Sequence, residues 1–102
     1  MAAELVFREA AQTDLFSLYH YIAEQSGRAR AGAYIDRLEA ACFRLRDFPE
    51  RGTRRDDLRP GLRTIGFERR VTIVFSVDEE FIVIGRILYG GRDLDTLLGE
   101  PG

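Results

Sequence analysis

Residues 71–88, VTIVFSVDEEFIVIGRIL, decide the fold of this chain. Every second residue of Val71–Val77 is apolar, which is typical of a strand that turns one face toward a core. Phe81–Leu88 is a second apolar run, and most of its residues are β-branched or aromatic. The acidic residues 78–80 between the two runs indicate a turn. The segment therefore predicts an antiparallel β-hairpin.

The residues before this hairpin predict two helices. Apolar side chains recur at helical spacing from Ala11 to Ile22, and Gly27 follows as a stop signal. A second helical pattern runs from about Ala29 to Asp47 and ends before Pro49, because a residue that precedes proline avoids the α region. A link of two to four residues between the patterns predicts an antiparallel helical hairpin.

Two more strands complete the pattern. Glu4–Arg8 and Leu62–Phe67 have strand character, and the Pro, Gly and Arg residues of 49–61 predict a loop between the helices and the later strands. The order β-α-α-β-β-β predicts a single α+β domain over residues 1–102, with the helical hairpin packed on an antiparallel sheet. A further short helix is predicted at Asp93–Leu98.

The composition excludes several classes of function. All 15 basic residues are arginine, so no lysine is present to act as a Schiff-base amine or a P-loop phosphate ligand. The single cysteine and single histidine exclude an ordinary zinc site. Charged residues interrupt the N-terminal region where a signal peptide would be apolar, and we expect a cytoplasmic location. The net charge of −2 is unusual for a nucleic-acid-binding domain, yet residues 51–70 contain seven arginines against three acids.

Two single residues and one pair of residues are of types that can act in catalysis. His20 could act as a general base, but no serine or cysteine is close to it in sequence, and we expect a helix-surface residue. Cys42 falls on the apolar stripe of the second helix, where a small core side chain is expected rather than a nucleophile. The Asp56-Asp57 pair is surrounded by arginines, and this predicts a solvated ion-pair network.

Arg86 is the least expected residue, because it stands in an apolar strand. Burying an arginine is costly unless it is paired. Two interpretations remain open at this point. Arg86 could line an anion-binding surface with other arginines, or it could pair with a carboxylate from a neighbouring strand and hold the sheet together.

Four runs of sequence together resemble the ParE toxins of the RelE/ParE superfamily, which are the toxin halves of bacterial type II toxin–antitoxin modules. The resemblance extends from about residue 5 to residue 95, and the helices fit it through Asp14-Leu15, Tyr21–Ala23 and Tyr34-Ile35. Members commonly carry histidine where this chain has Tyr89. The four runs are Pro49–Gly52, Asp57–Arg63, Ile73–Phe75 and Ile84–Asp93.

The resemblance implies a helical hairpin over an antiparallel sheet and a cognate, ParD-like antitoxin that wraps the toxin. It also implies inhibition of DNA gyrase by trapping the enzyme on cleaved DNA, without catalysis by the toxin. No cofactor, metal site, membrane contact or direct sequence-specific binding of nucleic acid is expected. The residues expected to contact the target are Arg86, Tyr89 and Arg92.

We expect the antitoxin to bind an exposed apolar stripe on the first helix and the arginine-rich region beside it. A disordered segment that folds onto this surface would supply apolar anchors and carboxylates together. The residues expected in this interface are Phe16, Tyr19, Ala23, Arg54, Arg55, Arg63 and Arg70.

Two alternatives remain. The sister RelE branch cleaves messenger RNA on the ribosome, a reaction that needs cationic groups near a pentavalent phosphorus and an acid or base near the 2′-oxygen. Arg63, Arg86, Tyr89 and Arg92 would form a reduced version of such a site. The other alternative is a module that binds an antitoxin and has no toxicity.

Overall fold

Two helices lie on one face of a five-stranded mixed sheet, which confirms the α+β class. The structure is a computed structural model, and it describes residues 4–90. Both Arg92 and the predicted helix at Asp93–Leu98 lie outside the described residues. The elements in chain order are β1 (Glu4–Phe7), α1 (Glu9–Ser26), α2 (Arg28–Arg44), β2 (Thr53–Arg54), β3 (Leu62–Phe67), β4 (Val71–Val77) and β5 (Phe81–Tyr89).

The strand order is β1-β5-β4-β3-β2, and the pairs β3–β4 and β4–β5 are antiparallel as predicted. The β2–β3 pair is antiparallel as well. β1, however, pairs with β5 in the parallel direction, with Glu4 opposite Phe81 and Phe7 opposite Ile84. The expectation of a wholly antiparallel sheet was therefore wrong at this edge. A tight turn imposes antiparallel pairing only on strands that are consecutive in sequence, and β1 joins the sheet through two helices.

The core lies between the helices and the sheet. Ala11 and Leu18 of α1 are buried, as are Leu38 and Cys42 of α2, so both predicted helical stripes are confirmed. The predicted inner face of β4 is also confirmed, since Phe75 is fully buried among these residues. Neither described helix is long and apolar enough to cross a bilayer.

A single residue, Gly27, joins the two helices, so the link is shorter than predicted. Gly27 has a φ of +94° and donates its N–H to the carbonyl of Ala23 at 2.9 Å. A residue with a side chain rarely adopts this conformation, which explains how one glycine can end α1 and let α2 begin at Arg28. α2 continues after Arg44 as a short run of i→i−3 hydrogen bonds to Asp47.

The loop of residues 49–61 contains β2, a two-residue strand that the sequence pattern did not predict. Thr53 pairs with Thr64 and Arg54 with Arg63, so the loop adds an edge strand to β3. Gly52 precedes β2 with a φ of +82°, and a Cβ built there would lie 2.3 Å from the carbonyl oxygen of Thr64. The backbone of the loop therefore approaches β3 more closely than any side chain at position 52 would allow.

We predict that Gly52→Ala lowers the free energy of unfolding by about 2–3 kcal/mol, because it combines a positive φ with a backbone collision. Gly61→Ala is the matched control. Gly61 has a φ of +78°, but a Cβ there meets nothing within 4 Å, so it tests the conformational strain alone. Urea denaturation followed by circular dichroism compares the two variants, and equal losses would contradict the argument from close approach.

Candidate functional site

The guanidinium group of Arg86 on β5 binds the carboxylate of Asp14 on α1. Arg86 Nε donates to Asp14 Oδ2 at 2.7 Å, and Nη2 donates to Oδ1 at 3.1 Å. The Arg86 side chain is 27% exposed and that of Asp14 12%, so solvent screens the pair only weakly. The hydrogen bonds to Asp14 raise the pKa of Arg86 above its usual value. Arg86 thus has a carboxylate partner, but this partner comes from a helix and not from the neighbouring strand that was expected.

Asp14 also binds the edge of β5. Pairing between β1 and β5 ends where Phe7 lies opposite Ile84, because the chain then turns into α1. The N–H of Ile87 lies beyond this last pair, and it donates to Asp14 Oδ2 at 2.9 Å. One carboxylate therefore continues the hydrogen bonding of the strand edge and also neutralises Arg86.

A β-bulge brings Arg86 to this edge. The register of β4 and β5 shifts so that Val74 pairs with Arg86 while Phe75 pairs with Ile84, which leaves Gly85 without a partner on β4. A bulge bends its strand and redirects the following side chains. Here it precedes the two residues that bind Asp14, and the glycine allows the bend without placing a side chain over the sheet.

Tyr89 lies farther along the same strand and contacts the same helix. Its ring centroid is 5.5 Å from that of Tyr21, and both tyrosines line a cleft of about 420 Å³ with Asp14 and Ile87. The structure therefore brings Arg86 and Tyr89, two of the three predicted target-binding residues, onto one side of α1.

A second cleft next to Tyr89 holds Tyr34 and Arg70. The hydroxyl of Tyr34 is buried and has no hydrogen-bond partner among the described residues. Burial and, to a lesser degree, the nearby Glu68 raise the pKa of this hydroxyl. Arg37 binds Glu68 at 3.0 Å, and this exposed ion pair supports the tight turn that presents Arg70. Arg70 is thus near Tyr89. Arg70 was expected in the antitoxin interface and Tyr89 in the contact with the target.

The predicted apolar stripe on α1 is partly exposed. Phe16 is 67% exposed, whereas Tyr19 and Ala23 are half-buried. His20 is exposed, as expected, and its ring centroid lies 4.4 Å from that of Phe16. Together with Tyr19, these residues form an aromatic surface on α1.

The loop arginines lie at the opposite edge of the sheet, near β2 and β3. Arg54 binds Asp56 and Arg55 binds Asp57, which confirms the predicted ion-pair network. The pKa of Asp56 is lowered chiefly by the backbone N–H of Gly61, and that of Asp57 chiefly by Arg55.

Arg63 has a different role at this edge, because its Nη1 donates to the carbonyl of Glu50 at 3.0 Å. The residues expected at the antitoxin interface therefore form three separate regions: the α1 surface, the β2–β3 edge and the Arg70 cleft. Sequence spacing could not reveal this separation, because the distances between the three regions are set only when the strands pair into a sheet.

Cys42 is fully buried in the core, as expected for a structural residue. Burial raises the pKa of its thiol to about 12. Within residues 4–90, no cluster of three His, Cys, Asp or Glu side chains has the arrangement of a metal site.

Comparisons with known proteins match this architecture. Residues 5–94 fit the family model described as "ParE toxin of type II toxin-antitoxin system, parDE". The chain belongs to the ParE toxin family. Toxin ParE3 of Caulobacter vibrioides is 37% identical over 87 residues, which are 85% of this chain and 86% of the relative. A chain in the solved structure of the chromosomal ParDE TA system from P. aeruginosa superposes with a TM-score of 0.75 at 25% identity, over 86% of this chain and 96% of that one.

Within this ParE-family chain, two of the runs that carried the resemblance hold the structure together. Pro49–Gly52 is bound to β3 through Arg63 and through the close approach of Gly52 to Thr64. Ile84–Gly90 contains the bulge, Arg86 and Tyr89. The sequence pattern did not identify Asp14 as the partner of Arg86, although a carboxylate beside the buried stripe of α1 was an available signal.

We predict that Cys42 is unreactive in the native protein. With a thiol pKa of about 12, the thiolate fraction at about pH 8 is on the order of 10⁻⁴, and the core also blocks access. A chromogenic thiol reagent should therefore modify the folded protein no faster than it unfolds, and should modify it at once in urea. Fast modification without denaturant would contradict the buried position.

We predict that Asp14→Ala lowers the free energy of unfolding by about 2–3 kcal/mol, because Arg86 and the Ile87 N–H lose their acceptor together. Asp14→Asn should cost less, since its amide oxygen can still accept the Ile87 N–H. Glu24→Ala, an exposed acid on the same helix, is the control. Urea denaturation measures all three, and an effect of Asp14→Ala no larger than that of Glu24→Ala would refute the role of this carboxylate.

Proposed function

We propose that this protein is a toxin that inhibits DNA gyrase and is held inactive by a ParD-like antitoxin. The observation that carries the proposal is family membership over nearly the whole chain, together with a relative named Toxin ParE3 and a structural neighbour from a ParDE system. The proposed location is the cytoplasm, where gyrase acts on DNA.

The antitoxin is proposed to bind the aromatic surface of α1 and the Tyr34–Arg70 cleft. Phe16 exposes a large apolar area that a folding segment would cover. The hydroxyl of Tyr34, which has no hydrogen-bond partner among residues 4–90, and the guanidinium group of Arg70 offer donors to an acceptor on the partner. The loop residues Arg54, Arg55 and Arg63 would have to exchange internal partners to take part, so we assign them a secondary contribution.

The target is proposed to contact Tyr89 and Arg92, with Arg86 in a supporting position. The bidentate bond to Asp14 already uses Nε and Nη2 of Arg86, so the main effect of this arginine is to place Ile87–Tyr89 against α1. Tyr89 is half-buried and offers part of its ring and its hydroxyl. Tyrosine provides both apolar area and a hydrogen bond, which is why it is frequent at the centre of protein interfaces.

We propose that the toxin acts by binding and not by catalysis. Messenger RNA cleavage would need a group that accepts the proton of the 2′-oxygen near cations that stabilise the phosphorane. Three of the candidate groups are poorly placed for this: Cys42 is buried, Arg86 is bound to Asp14, and His20 lies on the outer surface of α1.

We predict that the purified protein makes gyrase accumulate cleaved DNA, and that Tyr89→Ala weakens this effect by about tenfold because an interface tyrosine is lost. Tyr89→Phe separates the hydroxyl from the ring. Phe48→Ala is the control, since Phe48 is 62% exposed and its ring contact is with Arg51. Thermal unfolding of each variant excludes a loss of folding as the cause.

The same protein should be induced alone in bacteria, with DNA breaks and translation rate followed together. DNA breaks before any fall in translation are expected, and co-expression of the antitoxin should prevent them. Cleaved messenger RNA on ribosomes before DNA damage would favour the RelE-type alternative. Normal growth by a protein that still binds the antitoxin would favour the non-toxic module.

A further inference from the structure

Three clefts adjoin in a row where α1, α2 and the end of β5 meet. Tyr21 and Tyr89 line the first two clefts, which measure about 420 and 370 Å³. Ser26 and Tyr34 line the second cleft and also a third, of about 320 Å³. Because neighbouring clefts share lining residues, the three form one continuous depression, which we call the α1–α2 furrow. Each part of it is within the usual size range of ligand sites.

Arginines line the second and third parts of the furrow. Arg70 lies in the second part, and Arg30 and Arg37 lie in the third. Arg30 and Arg70 are exposed, and neither forms an ion pair within residues 4–90. Asp14 is the one acid among the described residues of the lining, and Arg86 neutralises it. The furrow is therefore positively charged although the whole chain has a net charge of −2.

The turn that presents Arg70 has a strained backbone. Glu68 and Arg69 have φ angles of +47° and +62°, a region that residues with a side chain rarely adopt. Such strain persists only where the surrounding structure holds it, and it is frequent at ligand-binding sites. Arg37 holds Glu68 through two hydrogen bonds, of 3.0 and 3.2 Å. The carbonyl of Arg70 accepts the N–H of Gly90 at 3.0 Å, so an unfavourable turn is fixed with this arginine beside the tyrosines.

Tyrosine rings lie next to these cations. Tyr21 is 49% exposed, and its ring centroid is 5.5 Å from that of the half-buried Tyr89. The guanidinium carbon of Arg37 lies 5.4 Å from the ring centroid of Tyr34. Sites for single-stranded nucleic acid combine rings on which bases stack with cations that bind the phosphates. A carboxylate ligand would use the arginines alone, whereas a nucleotide uses the exposed ring as well.

We propose that the α1–α2 furrow binds single-stranded nucleic acid without sequence preference, with phosphates on Arg30 and Arg70 and a base on the exposed ring of Tyr21. The inference goes beyond the proposed function and does not depend on it, because the chemistry follows from side chains of the free protein. The net charge of −2 repels a polyanion at long range. Binding should therefore be weak and should depend strongly on salt.

Fluorescence anisotropy of a labelled oligothymidylate of about six nucleotides tests the furrow. The full-length protein should bind it in about 50 mM NaCl, and the logarithm of the affinity should fall linearly with the logarithm of the salt concentration. Arg30→Gln and Arg70→Gln should each reduce this slope by about 0.7, the value for one phosphate contact on a single strand. Tyr21→Ala should weaken binding about tenfold at an unchanged slope, because stacking releases no counterions. Tyr21→Phe should retain the affinity.

Arg44→Gln and Arg59→Gln are the matched controls. Arg44 is exposed at the other end of α2, about 20 Å along the helix from Arg30. Arg59 lines a separate groove, together with Arg8, on the face of the sheet opposite to the helices. Neither control should change the salt slope, and a change as large as that of the Arg30 and Arg70 variants would overturn the proposed location. Thermal unfolding of each variant excludes a loss of folding as the cause.

Other ligands test whether the furrow recognises a single strand. A DNA duplex of the same length hides its bases, thymidine monophosphate has one phosphate, and a peptide of alternating Glu and Leu has no base. Each should bind more weakly than the oligothymidylate. Equal or tighter binding of any of the three, or no binding of the oligothymidylate, would overturn the proposal.

The antitoxin distinguishes a failure of this inference from a failure of the proposed function. The antitoxin is proposed to cover the Tyr34–Arg70 cleft, so it should release the oligothymidylate from the toxin. A complex that retains the oligothymidylate would contradict the proposed position of the antitoxin but not the ligand of the furrow. An oligothymidylate that fails to bind a protein that still binds the antitoxin and inhibits gyrase would contradict this inference alone.

Discussion

The carboxylate of Asp14 is the constraint on which the arrangement of this molecule depends. It accepts three hydrogen bonds, two from Arg86 and one from the backbone of Ile87, at the point where β5 extends past β1. A half-buried arginine without a partner would be costly, as would an unpaired N–H at a covered strand edge. One acid on α1 removes both costs, and in doing so it fixes the distance between the helix and the end of the sheet.

This contact also separates the faces of the protein. On the helical side, α1 and the end of β5 enclose the clefts around Tyr21, Tyr34 and Tyr89. On the other side, the same bulge leaves Gly85 open above the sheet, and Arg8 is placed by the turn from β1 into α1. A toxin that binds an antitoxin and also the proposed target needs more than one binding surface. The helical side and the opposite face of the sheet are two such surfaces within one domain.

Much of the fold could be predicted from periodicity because the relevant interactions are local. The alternation in β4, the stripes of both helices and the hairpin turn at Asp78–Glu80 each depend on neighbouring residues, and each is confirmed. The parallel direction of β1, the one-residue link at Gly27 and the strand β2 were not predicted. These features depend on where distant segments meet, or on a single glycine that removes the need for a longer loop.

The amino-acid sequence by itself determined the class of fold, the buried position of Cys42, the local ion pairs of Asp56 and Asp57, and the family. Each of these follows from side-chain period, from neighbours in the chain or from the order of short runs. Only the tertiary structure decided that Arg86 pairs with Asp14, because 72 residues separate them. It also decided that Arg8 and Arg59 line one groove, since the strand order places the end of β1 and the loop before β3 on either side of β5 and β4. Long-range pairs of this kind have no characteristic spacing in the sequence. The distance between two residues in a sheet depends on the strand order and not on their separation along the chain.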